Sequence, residues 1–524
     1  MLDCSKVPVS EIQVPEKFNI AQEIFDRNLE SGRGDKTALL YRDEQVTYQQ
    51  MLHRSNRIGN ALKSLGVEQE DRVMLLLFDC PEAIYSMLGA MKMGAVPFPV
   101  STMTVPEEYE YFLNDSRAKV LIVDEKLLPL IDPIRKNCKH LKHVVVVGQP
   151  RDGELGYAEI TAAASPEMDP AETNKDDMAF WLYSSGTTGR PKGIVHLHHD
   201  MVYTSEAWYV RWMKGSPSDV LYSAAKLFFG FGTANSLFFS LWAGSTTVLV
   251  PERPTPDVFV QTIDKYKLTF ACAAPTIYAG VLRVEGLERY DLSSVRAAVS
   301  AGEALPRPIY DEWERRFGIQ LLEGLGSSDV ELDYCQNRPG ESKPGTVGRI
   351  VEGYEGKIVD ENGEPVPPGE VGELLIKGDS APAFYWNKHE LTKRTVLGEW
   401  FRTGDTVYQD EDGYIHYVGR ADDVFKSSGI WVSPAEVEGV LVAHEKVVEA
   451  GVVGLPDKDG LIKTAAFVVL EPGVEPSEAL VEELKDFVRE KLVSHKVPRQ
   501  VKFVSSLPRT ATGKIQRYKL RQQG

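Results

Sequence analysis

Cysteine is scarce and scattered: the chain carries five in 524 residues, at Cys4, Cys80, Cys138, Cys272 and Cys335, with no C-x-x-C pair. That spacing argues against a disulfide scaffold and carries no zinc signature, so reduced thiols acting as small buried hydrophobes are expected. No apolar run reaches the roughly 18 residues that a membrane-spanning helix needs, so no membrane span is expected. The first residues lack a basic segment followed by an apolar one, so no secretory leader is expected and the cytoplasm is the default location. Positive charge is also in deficit, 59 Lys and Arg against 76 Asp and Glu for a formal net charge of −17. That balance excludes a broad nucleic-acid surface and makes nucleic acid an unexpected partner, yet it leaves room for local basic patches that could receive a polyanion. No repeat of fixed period and no low-complexity tract interrupts the chain.

What is present is a globular composition, 43% hydrophobic and 26% charged, on a chain longer than one core usually serves, so two or more domains are expected. Residues 18–175 alternate helical patterns with short apolar runs at 72–78 and 119–124, the texture of α/β layers with parallel strands. Further strands are expected at 245–250, 268–272 and 295–300, continuing the same sheet. From about residue 345 the texture changes to short strands at 356–360, 372–377 and 413–418 separated by Gly, Pro and Asp turns, a small β-rich subdomain. About a hundred residues follow Asp422, enough for a small α+β domain with its own core. The fold class is therefore α/β, with a large N-terminal domain at 1–421 and a small C-terminal domain at 422–524.

One stretch speaks to chemistry. Residues 178–183 are a short apolar run, as in an interior strand, and they lead into Ser184-Ser-Gly-Thr-Thr-Gly-Arg-Pro-Lys-Gly193. Glycines let the backbone turn sharply and come close to a ligand, while the hydroxyls of Ser184, Ser185, Thr187 and Thr188 and the ammonium of Lys192 suit phosphate oxygens. Composition alone would also fit a flexible surface loop. The order of residues departs from Gly-x4-Gly-Lys-Ser/Thr, with Pro191 before Lys192 and Gly193 after it, which disfavours a standard P-loop NTPase. The nearby His196-Leu-His-His-Asp200 lacks a second ligand cluster and reads as a polar segment entering a helix, not a metal site.

The loop resembles the phosphate loop of the adenylate-forming superfamily: acyl-CoA synthetases, peptide-synthetase adenylation domains and luciferases. Three further stretches follow in the order of that family. Glu323-Gly-Leu-Gly-Ser-Ser-Asp329 resembles the family segment that touches adenine and supplies a carboxylate for Mg2+, although Leu325 stands where an aromatic is common and Asp329 where Glu is usual. Thr403-Gly-Asp405 resembles the segment whose carboxylate accepts hydrogen bonds from the ribose hydroxyls. Pro508-Arg-Thr-Ala-Thr-Gly-Lys-Ile-Gln-Arg517 resembles the segment bearing the adenylation lysine. The resemblance implies ATP or AMP contacts at Ser184, Ser185, Gly186, Thr187, Thr188, Gly189, Lys192, Gly302, Glu303, Gly324, Leu325, Gly326, Ser327, Ser328, Asp405, Arg420 and Lys514. It implies catalytic roles for Lys514, Thr188 and Asp329, with Asp329 and Thr188 beside Mg2+. It also implies that a mobile C-terminal domain turns about Asp422 for the thiol step, with CoA passing Lys426, Ser428, Gly429 and Trp431. ATP, CoA, Mg2+ and a small carboxylic acid are the expected partners and cofactors; a homodimer is left open.

Within that family, the aromatic and glycine-rich segment around Phe228, Phe229, Gly230 and Phe231 looks most like the acyl pocket of benzoate-type aryl-CoA ligases. Gly230, Gly302 and Gly326 leave space for a flat ring. Leu332 and its neighbours are read as supplying little polarity, so an apolar ring such as benzoate or an alicyclic acid is expected over a hydroxybenzoate. A medium-chain acyl-CoA synthetase, a carrier-protein-loading adenylation enzyme and a nucleotide-binding regulator without catalysis are the alternatives.

Overall fold

The computed structural model describes residues 2–4, 7–184, 190–427, 430–457, 460–509 and 515–523. Strands form where the sequence concentrates β-branched residues in short runs with both faces covered. The run Val120–Asp124, buried along most of its length, pairs in parallel with Arg72–Leu76 on one side and His143–Val147 on the other. With Val96–Pro99 and Leu155–Gly156 these make a five-stranded parallel sheet, as the alternating texture of this region predicts.

The strands beyond the phosphate-type loop do not extend that sheet. Val220–Ser223, Thr246–Leu249, Phe270–Ala273, Ala297–Ser300 and Leu321–Ser327 run parallel in a second sheet of nine strands among the described residues. Its other members include Thr37–Tyr41 from the chain's beginning and the antiparallel Leu332–Gln336. The expectation of one continuous sheet is thus corrected. An apolar run buried on both faces reads the same whichever sheet it joins, and the pairing is decided by which helices pack between the layers.

Between the two sheets in sequence stands an antiparallel hairpin, Met178–Ser184 with Lys192–Leu197, in which Ser184 faces Lys192 across the mouth of the loop. A long helix starts at Gly230–Thr233, passes through a π-helical stretch at Ala234–Phe239 and ends at Ser240–Ala243, so the aromatic segment sits at its entry. Wide turns of this kind recur at functional sites.

The β-rich subdomain is antiparallel, with Gly372–Lys377 between Glu355–Val359 and Trp400–Gln409, and Ile415–Arg420 beyond. The C-terminal part has its own core: Val437, Leu441, Val452, Val468, Leu480, Leu484 and Val488 pack the helices Pro434–Val442 and Glu478–Arg489 onto Val447–Pro456 and Ile462–Leu470. Its last helix, Arg517–Gln522, is tied to the segment around Asp422. Arg521 donates to the Asp422 carbonyl at 2.9 Å and to Asp423 at 2.8 Å, and Arg517 forks onto Glu438 at 2.7 and 2.9 Å.

Candidate active site

The ends of three structural units converge on one set of polar side chains. Lys192, first residue of the returning hairpin strand, donates from Nζ to Asp329 Oδ1 at 2.8 Å. Asp329 follows the parallel strand Leu321–Ser327, and the same oxygen accepts the Tyr385 hydroxyl at 2.6 Å. The Lys192 ammonium also lies 4.0 Å from the centroid of the Tyr385 ring. Burial opposes charge on Asp329, but Lys192 and the tyrosine hydroxyl outweigh it and hold the carboxyl below its ordinary range. The other oxygen, Oδ2, accepts no hydrogen bond among the described residues, which leaves a hard donor available to a cation.

A second cluster surrounds Asp405, which is 2% exposed. Arg420 donates to its Oδ1 at 2.9 Å, and the hydroxyl of fully buried Tyr334 donates to its Oδ2 at 2.5 Å. Asp405 lies in the strand Trp400–Gln409 and faces Arg420 across the sheet in register. Gly404 has φ of 72°, and a side chain there would meet the Arg420 guanidinium at 2.8 Å, so this point in the strand needs glycine. The Asp405 charge raises the affinity of Arg420 for its proton. Burial, with the same charge, keeps the Tyr334 hydroxyl protonated and able to donate.

The glycine strand between these clusters is anchored from both sides. His196 Nε2 lies 2.9 Å from the Ser328 carbonyl, and its ring stacks on Phe180 at 4.8 Å. Glu323 is 6% exposed and accepts the Leu305 amide at 2.8 Å, and burial pushes its carboxyl up to about 8. Leu325, Gly326, Ser327 and Ser328 are half-buried, while Gly324 is buried. Gly302 and Glu303 are exposed, and nothing lies within 4 Å of where a Gly302 side chain would begin.

At the proposed acyl end, Phe229 and Phe231 are half-buried. Phe228 is buried, with its ring 4.6 Å from that of Phe229, and lines a small apolar cavity with Leu75, Leu77, Met87 and Leu237. Gly230 lies against Glu331 and Ser328, since a side chain there would meet Glu331 Oε2 and Ser328 Oγ at 2.6 Å. Leu332 is 4% exposed and flanked by two carboxyls that are buried as well, Glu331 at 1% and Asp333 at 9% exposure. This neighbourhood is thus more polar than the sequence reading of Leu332 allows.

In the C-terminal part, Lys426 pairs with Glu361 at 3.1 Å and lies 4.7 Å from the Trp431 ring, in a hairpin of Phe425–Ser427 with Ile430–Val432. Asp422 is exposed. Ser185, Gly186, Thr187, Thr188, Gly189, Ser428, Gly429 and Lys514 lie outside the described residues. Among the described residues no group of three or more His, Cys, Asp or Glu is arranged to hold a metal ion, and no helix is long and apolar enough to cross a membrane.

Residues 25–386 match the family described as AMP-binding enzyme, and residues 436–514 match its C-terminal domain. The chain belongs to the AMP-binding enzyme family. This AMP-binding enzyme is 44% identical over 522 residues to a benzoate–CoA ligase of Thauera aromatica, an alignment spanning 99% of this chain and 98% of that protein. It is 40% identical to a 4-hydroxybenzoate–CoA/benzoate–CoA ligase of Rhodopseudomonas palustris, over 96% of this chain and 94% of that one. Among solved structures, an anthranilate CoA ligase in complex with anthranoyl-AMP is similar with a TM-score of 0.92 and 42% identity, covering 99% of both chains.

Sequence reasoning missed Tyr334, Tyr385 and His196 as supports of the site. Tyr334 lies in a strand whose other residues are also buried, and the partners of Tyr385 and His196 are distant in sequence, so no local pattern marks them.

Proposed function

We propose that this AMP-binding enzyme is an AMP-forming ligase that activates an aromatic carboxylic acid with ATP and transfers the acyl group to CoA. The observation that carries the reading is the 44% identity to a benzoate–CoA ligase along nearly the whole of both chains. In this reading residues 1–421 bind ATP and the acid, and residues 422–524 bring the adenylation lysine and then the CoA channel. Asp405 accepts the ribose hydroxyls, held in place by Arg420 and Tyr334. Lys192 and the hydroxyls of Thr187 and Thr188 take the terminal phosphates, and ATP binding exchanges the Lys192–Asp329 pair for phosphate contacts.

The donor set fits Mg2+: Asp329 offers a hard carboxylate oxygen, and the cation would supply charge neutralisation on the phosphates as pyrophosphate leaves. Asp329 is shorter than Glu by one methylene, and a water can bridge that reach. Lys514 holds the acid carboxylate and the α-phosphate together, lowering the cost of bringing two anions into contact. The ties from Arg517 and Arg521 to Glu438, Asp423 and the Asp422 carbonyl hold the last helix, Arg517–Gln522, against the segment that follows Asp422, the proposed hinge. Lys426, Ser428, Gly429 and Trp431 line the thiol approach in the second state.

Replacing Lys514 by Ala tests the scheme. Pyrophosphate release with benzoate is expected to fall by at least about a hundredfold, while CoA attack on supplied benzoyl-AMP stays within a few-fold of wild type. Unchanged adenylation in that variant would contradict the mechanism.

A further inference from the structure

Asp333 is nine-tenths buried, no described residue is recorded as donating to its carboxyl, and burial alone pushes it up to about 7. Its position is defined by two glycines of the nucleotide-side strand. A side chain at Gly326 would begin 2.4 Å from Asp333 Oδ1, and one at Gly324 would begin 3.2 Å from Oδ2. The carboxyl therefore occupies the ground that those glycines leave open. Its charge acts on the Cys272 thiol, which burial pushes up and this carboxylate pushes further. The same thiol donates to Asn235 Oδ1 at 3.3 Å, and Asn235 donates to the carbonyl of Phe231 at 2.8 Å, on the helix that opens with the aromatic segment. Asp333 thus stands directly beside Gly326, one of the positions assigned to the acyl pocket, in the region where the ring of the acid is proposed to lie.

A buried carboxyl without a donor is costly to leave unmade, and the cost is relieved when a ligand supplies that donor. We propose that Asp333 is a specificity-determining residue that selects aromatic acids carrying a ring substituent with an N–H or O–H donor, an amino or hydroxyl group, over the unsubstituted ring. The inference rests on the aromatic-acid ligase reading above and reverses the preference for an apolar ring drawn from Leu332. A site built to bond such a group rejects the analogue lacking it more strongly than an apolar pocket rejects an added hydroxyl, because the unsubstituted ring leaves the carboxyl unpaired.

The test is pyrophosphate release by the full-length protein with ATP and CoA across benzoate, the three aminobenzoates and the three hydroxybenzoates, repeated with Asp333→Ala and Asp333→Asn. At least one amino or hydroxy acid is expected to exceed benzoate in kcat/KM by at least about tenfold, the two series separating an N–H from an O–H donor. Asp333→Ala is expected to reduce that ratio to near one while leaving the KM for ATP within about twofold; Asp333→Asn, which keeps an acceptor oxygen, should retain part of it. Benzoate used as well as every substituted acid by the wild type, or a ratio unchanged in Asp333→Ala, overturns the inference and leaves the aromatic-acid reading standing. Should Asp333→Ala fail to fold, the wild-type panel decides alone. Release with none of the aromatic acids overturns both.

Discussion

The hydroxyl of Tyr334 is the least expected support of the proposed nucleotide site, and removing it makes a sharp test. Tyr334→Phe deletes one oxygen from a fully buried ring and takes away the 2.5 Å donor to Asp405 Oδ2. A hydrogen bond to a charged acceptor contributes about 1.5–3 kcal/mol. Arg420 still holds the other oxygen at 2.9 Å, so only part of that loss reaches ATP binding. A penalty of about 1 kcal/mol corresponds to somewhat under tenfold, which sets the expected rise in the KM for ATP at about three- to tenfold. The KM for the acid should stay within about twofold, since Tyr334 lies at the ribose end. A second readout separates positioning from general loosening. If Asp405 bonds the ribose as proposed, wild type should discriminate against 2′-deoxy-ATP, and Tyr334→Phe should shrink that discrimination. Steady-state kinetics of pyrophosphate release with ATP and 2′-deoxy-ATP give both numbers. An unchanged KM for ATP, or equal rises for ATP and acid, would refute the positioning role.

Two further outcomes follow from the geometry. Lys192 and Asp329 form a mostly buried pair, so Lys192→Met and Asp329→Asn should each lower the thermal midpoint of the ligand-free protein more than the double variant does, because removing one partner strands the other; additive losses would show that the pair is not coupled. The pair's contribution rests on a depressed carboxyl, so it should be present above pH of about 4 and fade as pH falls through the lower folded-state value. Glu323 has the opposite sign: its carboxyl is raised from 4.5 to about 8, so its contribution to stability is fully present below pH of about 4.5 and is lost as pH rises to about 8. The thermal midpoint should therefore decline between pH of about 4.5 and about 8, and Glu323→Gln should flatten the decline; parallel curves would sink that assignment.

The parts of the site legible in the sequence are those written in short contiguous runs. The hairpin around the loop, the glycine strand just before Asp329 and the strand around Asp405 each carry their backbone requirement and their candidate side chain within a few residues. The existence and type of the main strands were equally readable, because β-branched runs between Gly and Pro turns specify a strand locally. What failed was assembly. The assignment of strands to two sheets rests on pairings such as Thr37–Tyr41 with Thr246–Leu249, some two hundred residues apart. Tyr385 and Asp329, or His196 and Ser328, meet only after those sheets pack. Reading the neighbours of Leu332 as supplying little polarity passes over Glu331 and Asp333, and the structure shows both buried beside Leu332.

The proposed reaction couples ATP cleavage to AMP with thioester formation on an aromatic acid. The most direct measurement is product identification after incubating purified protein with ATP, Mg2+, CoA and benzoate or an aminobenzoate or hydroxybenzoate. AMP, pyrophosphate and the aroyl-CoA are expected in equal amounts, with no nucleotide cleavage when the acid is omitted. Formation of ADP and phosphate, or AMP release without thioester from any of these acids while octanoate is converted, would contradict it.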